Sequence, residues 1–284
     1  MSRIVFLNGD YLPADQAKIS IFDRAVNFGD AIYEVAGVLD GKLVDFEHHM
    51  QRYFHSLEKL EMESPLNQQQ ILEAFRELVE LNRLDEGLVY MQVSRGVAER
   101  DFVWPQDIKP TVFMFTQVKA SVENQSAETG IRLASTPDIR WARRDIKSVN
   151  LLAQVLAKKS AADAGAYEAL MIDADGYVTE CGSSSFFFAK GDQILTRPLS
   201  NDILPGVTRR AVVALCAKHG LQLVETRFTL DQALDADEAF ISAASSYVLP
   251  VVKIDDRPIS GGKPGELGRH LRQIYIDYAR ASLI

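Results

Sequence analysis

The chain has 284 residues, of which 47% are hydrophobic and 25% are charged, and its formal net charge is −8. This is ordinary globular composition, and the length allows one large domain or two modest ones. Because the net charge is negative and no block of like charges occurs, nucleic-acid binding is not expected. The two cysteines indicate no disulfide framework and fit a reducing cytoplasm. The N-terminus lacks a signal-peptide core, and no apolar run of about 18 residues predicts a membrane span.

Residues 1–120 are predicted to form a small α+β domain. The turn sequences Asn-Gly-Asp at 8–10 and Asp-Gly at 40–41 each lie between alternating segments, which predicts two β-hairpins. An irregular loop between the strands predicted over 88–94 and 111–118 contains Arg100, Phe102 and Trp104. The other predicted elements of this part are helices over 46–62 and 67–84 and strands over 18–22, 88–94 and 111–118.

Residues 121–130 are polar and aperiodic, which predicts a linker, and 131–284 are predicted to form a larger mixed α/β domain. Ser148 is predicted as the N-cap of a helix ending near residue 164, because apolar residues then recur at helical spacing. The strands and helices do not alternate regularly, which disfavours a doubly wound sheet. The other predicted elements are strands over 131–134, 168–172, 177–179, 185–189, 194–196, 238–241 and 248–254, and helices over 208–219 and 266–281.

Lys147 lies at the junction between an extended segment and this predicted helix, with apolar residues on both sides. An amine with reduced solvation can form a Schiff base with an aldehyde. A lysine in a loop is more often a solvated side chain. The chemical interpretation of Lys147 therefore depends on residues elsewhere in the chain.

Four other features could serve the same ligand as Lys147. Glu180 ends a predicted strand, where its carboxylate could face a protonated ring nitrogen. Gly206 and Thr208 precede or begin a helix, whose free N–H groups bind phosphate. The small-residue turn at 242–246 could donate further N–H groups, and the Arg52 guanidinium suits phosphate geometry. Each feature has an ordinary structural alternative, such as a helix cap or a solvated side chain, but together they describe a pyridoxal phosphate site.

The order and sequence of five segments resemble the fold-type IV pyridoxal phosphate enzymes, and most closely the D-amino acid aminotransferases. These segments are 23–35 (DRAVNFGDAIYEV), 138–141 (DIRW), 145–148 (DIKS), 178–180 (VTE) and 204–209 (LPGVTR). The resemblance extends from about residue 7 to the final helix. It implies a two-domain α+β fold of the D-amino acid aminotransferase type, with pyridoxal 5′-phosphate as the cofactor and no metal.

The resemblance also implies roles for individual residues. Lys147 would form the Schiff base with the cofactor and then move the proton between the substrate Cα and the cofactor C4′. Glu180 would keep the pyridine nitrogen protonated, and Leu204 would pack against the ring. The residues expected to hold the phosphate are Arg52, Val207 (through its backbone N–H), Thr208, and Ala244 and Ser245 in the 242–246 turn.

On the substrate side, the resemblance assigns Tyr33 to the pocket wall and Arg100 to a trap for the substrate carboxylate. Family members are homodimers, in which a loop of the partner closes the site between the two domains and carries the trap arginine that Arg100 matches. Phe102 stands where the family has a second trap residue, a histidine, so Arg144 is an alternative carboxylate donor. Ala244 replaces a threonine whose hydroxyl meets the phosphate in relatives, and either Ser245 substitutes for it or the backbone N–H suffices.

The predicted activity is transamination of D-alanine or another D-amino acid, with 2-oxoglutarate or pyruvate as the acceptor. Alternatives within the fold type are branched-chain L-amino acid transamination, aminodeoxychorismate lyase activity and (R)-amine transamination. The sequence Tyr-Glu-Val at 33–35 favours the D-amino acid group over the lyases, which usually have Phe-Glu-Thr. Phe102 leaves amine transamination open, because a less polar trap tolerates substrates without a carboxylate. A non-catalytic cofactor-binding protein is the alternative from another class.

Overall fold

A computed structural model describes residues 2–284, which divide into two compact units. Unit 1 contains the chain up to Ala120, together with Ile146–Asn150 and Ser282–Ile284. Unit 2 contains Ser121–Asp145 and Leu151–Ala281. Within the described residues, every helix is too short or too polar to cross a lipid bilayer.

Unit 1 is built on a six-stranded, fully antiparallel sheet with three helices. The strand order is β2-β1-β6-β5-β3-β4. Its elements are β1 (Ile4–Leu7), β2 (Asp10–Pro13), α1 (Arg24–Phe28), β3 (Ala31–Leu39), β4 (Lys42–Val44), α2 (Phe46–Lys59), α3 (Gln68–Leu81), β5 (Gly87–Ser94) and β6 (Thr111–Val118). Both predicted hairpins are confirmed, as are the two longer helices.

The core of unit 1 lies between this sheet and helices α2 and α3. Met50 and Tyr53 of α2 and Phe75 of α3 are completely buried, as expected for one face of an amphipathic helix. The strand predicted over 18–22 is wrong. These residues form loops and turns, and α1 follows directly, capped by Asp23 Oδ1, which accepts a hydrogen bond from Ala25 N.

Unit 2 is built on a mixed sheet with the strand order β12-β11-β10-β13-β14-β7-β8-β9, and β15 pairs with β14. Its elements are α4 (Gln125–Thr129), β7 (Ile131–Pro137), α5 (Leu152–Asp163), β8 (Glu168–Ile172), β9 (Val178–Cys181), β10 (Ser185–Lys190), β11 (Gln193–Thr196), α6 (Val207–Lys218), β12 (Gln222–Glu225), α7 (Leu230–Leu234), β13 (Glu238–Ala243), β14 (Tyr247–Ile254), β15 (Arg257–Pro258) and α8 (Glu266–Ala281). Strand β7 runs parallel to both of its neighbours, and β11 is parallel to β12. The other pairs are antiparallel, so the sheet is not doubly wound, as predicted.

The predicted start of α5 at Ser148 is wrong. The helix begins at Leu152, and its N-cap residue Leu151 makes no side-chain capping bond. Ser148 instead forms an isolated bridge with Ile32, and Val149 N donates to Ala31 O at 3.1 Å. These backbone bonds keep the chain extended, because the edge of β3 competes successfully with the helix for it.

The domain division drawn from the sequence remains a prediction, and the structure differs from it in two respects. The segment predicted as a linker contains the short helix α4. Lys147 lies in Ile146–Asn150, which belongs to unit 1, whereas the prediction placed it in the second domain. The reason is again the backbone pairing with β3, which adds this segment to the sheet of unit 1.

Candidate active site

Lys147 is held in unit 1 by its own backbone. Its carbonyl accepts a hydrogen bond from Tyr33 N at 2.9 Å, and its N–H donates to Ser56 Oγ at 3.2 Å. The preceding residue, Ile146, is buried in the core of the unit. An anchor on a strand and a helix fixes a side chain more closely than a free loop does.

The amine of Lys147 lies above an aromatic ring. Lys147 Nζ is 4.1 Å from the centroid of the Tyr33 ring, and the side chain is half-buried. The described part of the chain offers this amine no salt bridge within 4.0 Å. Tyr33 stacks on Tyr90 with a centroid distance of 5.5 Å, which keeps its ring in place. A lysine amine without a carboxylate partner is available as a nucleophile or base.

Arg52, also in unit 1, lies in a buried ionic cluster. Its Nε and Nη2 donate to Glu34 Oε1 and Oε2, both at 2.8 Å, and His49 Nδ1 lies 2.8 Å from Glu34 Oε2. Burial alone would raise the pKa of the Glu34 carboxyl, but the charge and hydrogen bonds of Arg52 hold it well below the usual range. Burial lowers the pKa of His49. The predicted phosphate contact of Arg52 remains a prediction, and its guanidinium is oriented by Glu34.

Replacing Glu34 by glutamine should lower the free energy of unfolding by about 3–5 kcal/mol, because it leaves the buried Arg52 charge without this carboxylate. The lowered folded-state pKa makes the contribution of Glu34 fully present above the ordinary glutamate pKa. It is lost as the pH falls below that value. Denaturant unfolding at several pH values should therefore show the gap between wild type and Glu34→Gln narrowing in acid. Glu58→Gln, at an exposed position of α2, is the matched control and should change little.

Arg100 and Phe102 lie in the loop between β5 and β6, and both side chains are exposed, Phe102 by 76%. The Arg100 guanidinium carbon lies 5.2 Å from the centroid of the Phe28 ring and 5.9 Å from that of Phe102. The loop thus presents a cation beside two aromatic rings, which suits a carboxylate attached to a small apolar group.

In unit 2, strand β9 places Glu180 in a buried position, 5% exposed. Glu180 Oε1 accepts hydrogen bonds from Arg140 Nη1 at 2.5 Å and from Leu204 N at 3.0 Å. Burial raises the pKa of the Glu180 carboxyl, and the Arg140 charge and the Leu204 N–H oppose that rise. The two donors on Oε1 orient the carboxylate and favour its ionised form.

Arg140 is itself neutralised by Asp138. Arg140 Nε donates to Asp138 Oδ1 at 2.9 Å and Nη2 to Oδ2 at 2.7 Å, and Thr179 Oγ1 donates to the same Oδ2 at 2.7 Å. Burial acts against the Asp138 carboxylate, but Arg140 outweighs it and keeps the Asp138 pKa below its usual value. Arg144, the alternative carboxylate donor, has carboxylate partners in Asp138 at 3.5 Å and Asp202 at 3.3 Å.

The start of α6, within unit 2, lacks a side-chain cap. Gly206 is the N-cap residue. A Cβ added at Gly206 would lie 2.8 Å from Ser185 Oγ, so a side chain there would displace the Ser185 hydroxyl. The buried hydroxyls of Thr208 and Ser242 have no hydrogen-bond partner among residues 2–284. Uncapped N–H groups beside unpartnered hydroxyls are the donor set that a phosphate satisfies.

The turn between β13 and β14 contains Ala244 and Ser245, which are half-buried. Ser246 N donates to Ala243 O at 3.2 Å and closes the turn. Ser245 O accepts a hydrogen bond from Ser121 Oγ at 3.2 Å, which fixes the turn from the other side. Ser242 lies opposite Ser185 in the antiparallel pairing of β13 with β10. Because Ser185 also lies next to Gly206, strand β10 neighbours both the turn and the start of α6.

A family model described as amino-transferase class IV matches residues 31–254. The chain belongs to the class IV aminotransferases. The D-alanine aminotransferase of Staphylococcus aureus (strain MSSA476) is 35% identical over 281 residues, which cover 99% of each chain. The D-alanine aminotransferase of Bacillus licheniformis is 35% identical over 94% of each chain.

Solved structures agree with this assignment to the class IV aminotransferases. The T.th. branched-chain amino acid aminotransferase, determined with pyridoxamine 5′-phosphate, has a TM-score of 0.90 and 27% identity, and covers 99% of this chain and 95% of its own. The Escherichia coli branched-chain enzyme has a TM-score of 0.91 at 21% identity, covers 98% and 95%, and supports the fold alone. The predicted fold type, the aminotransferase activity and the pyridoxal phosphate cofactor of the class are confirmed.

Each unit, taken by itself, contains groups that suit one part of pyridoxal phosphate. In unit 1 the Lys147 amine suits the aldehyde. In unit 2 the buried Glu180 carboxylate suits the ring nitrogen, and the donor set at the start of α6 suits the phosphate. The sequence interpretation missed Arg140 and Asp138 as individual residues, although both lie in the segment 138–141 that carried the family resemblance. Two charged residues spaced by one position before a tryptophan carry no local signal for a contact with Glu180.

Proposed function

We propose that this aminotransferase transfers the amino group of D-amino acids, D-alanine in particular, to a 2-oxo acid such as 2-oxoglutarate or pyruvate. The observation that carries the proposal is the Lys147 amine, which lies over the Tyr33 ring without a carboxylate partner. The D-alanine aminotransferases that match nearly the whole chain support the choice of substrate.

Pyridoxal phosphate, when bound, supplies an aldehyde that condenses with amines and a ring that accepts electron density from the substrate α-carbon. Lys147 Nζ is the group that holds the aldehyde. Once released, the same amine takes the proton from the substrate α-carbon as a general base and returns it as a general acid. The Glu180 carboxylate, oriented by Arg140 and Leu204 N, holds a proton on the ring nitrogen. Leu204 would pack against the ring.

At the phosphate end, the donors of unit 2 are the Val207 N–H and the Thr208 hydroxyl, joined by the turn at Ala244 and Ser245. These groups donate hydrogen bonds to the phosphate, and the positive end of the helix dipole favours its dianionic form. Arg52 is proposed to add a guanidinium group, which Glu34 orients by accepting hydrogen bonds from Nε and Nη2.

At the substrate end, Tyr33 orients the reacting group, Arg100 binds the α-carboxylate, and Phe102 contacts the side chain or methyl group. A guanidinium pairs with a carboxylate through two parallel hydrogen bonds and so fixes the orientation of the α-carbon. With the carboxylate fixed, the configuration of the substrate decides whether the single hydrogen of that carbon points to Lys147, and this separates D- from L-amino acids.

The test supplies D-alanine and L-leucine separately to the purified holoenzyme, first without a 2-oxo acid to follow the cofactor absorbance and then with 2-oxoglutarate to follow turnover. We expect D-alanine to give pyruvate and to shift the cofactor absorbance to the amine form, and L-leucine to do neither. Borohydride followed by mass spectrometry should locate the reduced cofactor on the Lys147 peptide. The proposal is overturned if the enzyme turns over L-leucine but not D-alanine, or if the reduced cofactor is attached to a residue other than Lys147.

A second candidate is transamination of branched-chain L-amino acids. It is favoured by the TM-score of 0.90 and 27% identity with the T.th. branched-chain enzyme. The same assay separates the two candidates, because L-leucine would then be the productive donor and D-alanine would leave the absorbance unchanged.

Replacing Phe102 by histidine should lower KM for D-alanine by about ten-fold, because a second donor joins Arg100 at the carboxylate. Activity on amines that lack a carboxylate should fall, since the apolar contact is lost. Steady-state kinetics with both substrate classes measures the change. Phe102→Leu is the matched control and should leave KM for D-alanine near the wild-type value.

We also propose that the protein is a homodimer in the cytoplasm. Unit 2 exposes apolar side chains on α5, where Leu152 is 72%, Val155 58% and Leu156 54% exposed. Clustered exposed apolar residues of this size are typical of association surfaces. Light scattering at micromolar concentration should give twice the mass of 31.7 kDa.

A further inference from the structure

The loop that carries Arg100 and Phe102 is attached to unit 1 at its base. Arg24 N donates to Gly96 O at 2.9 Å, and Asp23 bridges to Val97. Gly96 adopts φ +121°, and a Cβ there would lie 1.9 Å from Lys109 O, so the two ends of the loop approach as closely as backbones can. The base of the loop is therefore fixed.

The tip of the loop is held by a buried arginine. Arg24 Nη1 donates to Asp101 O at 2.6 Å and Nη2 to Phe102 O at 3.3 Å, and the side chain is only 4% exposed. The Arg24 guanidinium carbon lies 4.6 Å from the centroid of the Phe28 ring, the same ring that Arg100 faces at 5.2 Å. The Arg24 guanidinium thus donates hydrogen bonds to the carbonyls of the two residues that directly follow Arg100.

Arg24 belongs to a cluster of two arginines, Arg24 and Arg95, around the carboxylate of Asp30. Arg24 and Arg95 share one carboxylate, Asp30, through contacts of 2.8 Å from each Nε to the same Oδ2. One carboxylate cannot accept hydrogen bonds from all the N–H groups of two guanidinium groups, and backbone carbonyl oxygens accept from others. Arg95 donates to the carbonyls of Leu60 at 2.7 Å and Glu61 at 3.0 Å, and Arg24 donates to the two loop carbonyls. Because both arginines are buried, releasing the loop carbonyls would leave Arg24 donors unsatisfied, which is costly.

The loop has a second attachment four residues beyond Arg100. The Arg95 guanidinium carbon lies 3.8 Å from the centroid of the Trp104 ring. This stacking contact holds the far side of the tip, while Arg100 and Phe102 remain exposed between the two attachments. The loop backbone is therefore held at two points, while the side chains of Arg100 and Phe102 remain accessible to a ligand.

We propose that Arg24 is a positioning residue for substrate specificity: by holding the carbonyls of Asp101 and Phe102, it sets where Arg100 meets the substrate carboxylate. This inference rests on the proposed role of Arg100. The pair Asp30–Arg95 supports Arg24, and Trp104 supports the same loop from its other side.

The test is a double-mutant cycle in the holoenzyme with Arg24→Lys, Arg100→Ala and the double variant. A lysine at position 24 keeps the charge beside Asp30 but cannot donate to two carbonyls as the guanidinium fork does. We expect Arg24→Lys to raise KM for D-alanine about ten-fold with kcat within about two-fold of wild type. The double variant should have the KM of Arg100→Ala, because the effect of Arg24 passes through Arg100. Multiplicative effects, or an unchanged KM in Arg24→Lys, overturn the proposal.

A readout that does not depend on activity is tryptic cleavage after Arg100. Loss of the Arg24 contacts should speed this cleavage at least about five-fold, because cleavage tracks local opening. Trp104→Leu releases the other attachment and should give the same pattern of raised KM and faster cleavage. Arg3→Lys is the matched control, since Arg3 donates to Thr116 O outside the loop, and it should change neither quantity.

The outcomes separate the two hypotheses. If Arg100→Ala leaves KM for D-alanine unchanged, the proposed role of Arg100 fails and the specificity role of Arg24 fails with it. Cleavage would then report only whether Arg24 holds the loop. If Arg100→Ala raises KM but Arg24→Lys changes neither KM nor cleavage, the proposed function stands and the positioning role of Arg24 is wrong.

Discussion

Replacing Lys147 by alanine should reduce kcat for D-alanine transamination by at least about 10³-fold. The variant loses both the amine that holds the cofactor aldehyde and the only proposed base for the substrate α-carbon. The measurement is single-turnover absorbance with D-alanine, together with mass spectrometry of borohydride-treated protein, in which the reduced cofactor should no longer be attached to the protein.

Lys159→Ala is the matched control for this substitution. Lys159 is an exposed lysine of α5 that pairs with Asp163 one helical turn later. We expect it to retain wild-type kcat, because such surface pairs contribute little. Native-rate turnover in Lys147→Ala would contradict the proposed mechanism, whatever the substrate preference of the enzyme.

Replacing Arg140 by methionine should lower kcat by about 10²-fold. Arg140 is the cationic partner of Glu180, and its removal leaves a buried carboxyl whose pKa is raised by burial. Without the Arg140 charge the pKa of the Glu180 carboxyl should rise further, so a larger fraction would carry a proton and could no longer hold one on the ring nitrogen. A carboxylate acts above its pKa, so the residual activity of the variant should increase toward alkaline pH. The pH profile of kcat measures this shift.

Arg143→Met is the control in the same segment, because Arg143 pairs with Asp145 and is 38% exposed. It should leave the pH profile unchanged. The cofactor absorbance and the thermal midpoint of Arg140→Met should also be measured, since breaking a buried ion pair destabilises a protein. A variant that folds, binds the cofactor and keeps the wild-type pH profile would show that Arg140 does not act through Glu180.

Much of the fold follows from local patterns in the sequence. The helices α2 and α3 have clear 3.6-residue periodicity, and both early hairpins contain turn residues that few other structures use. The start of α5 could not be found in this way. Ser148 is a good N-cap residue by type, but its backbone pairs with Ile32, more than a hundred positions earlier. A tertiary hydrogen bond of this range leaves no trace in the local sequence.

The proposed site shows the same division. Lys147, Glu180 and Thr208 could be proposed from the sequence because they lie at a strand-to-loop junction, a strand end and a helix start, in segments that resemble the family. Arg140 and Arg24 were not found, because each acts through partners distant in sequence, Glu180 for one and two loop carbonyls for the other. Buried arginines of this kind are visible only when the strands that surround them are assembled.

The five residues Ile146–Asn150 have a practical consequence for protein engineering. A fragment that stops at Ala120 looks like a self-contained module, yet it would lack the segment that satisfies the backbone at Ala31 and Tyr33. An unpaired sheet edge invites aggregation. Truncation or domain exchange at residue 120 should therefore give insoluble material, and chimaeras need a crossover that leaves 146–150 with the sheet to which it belongs.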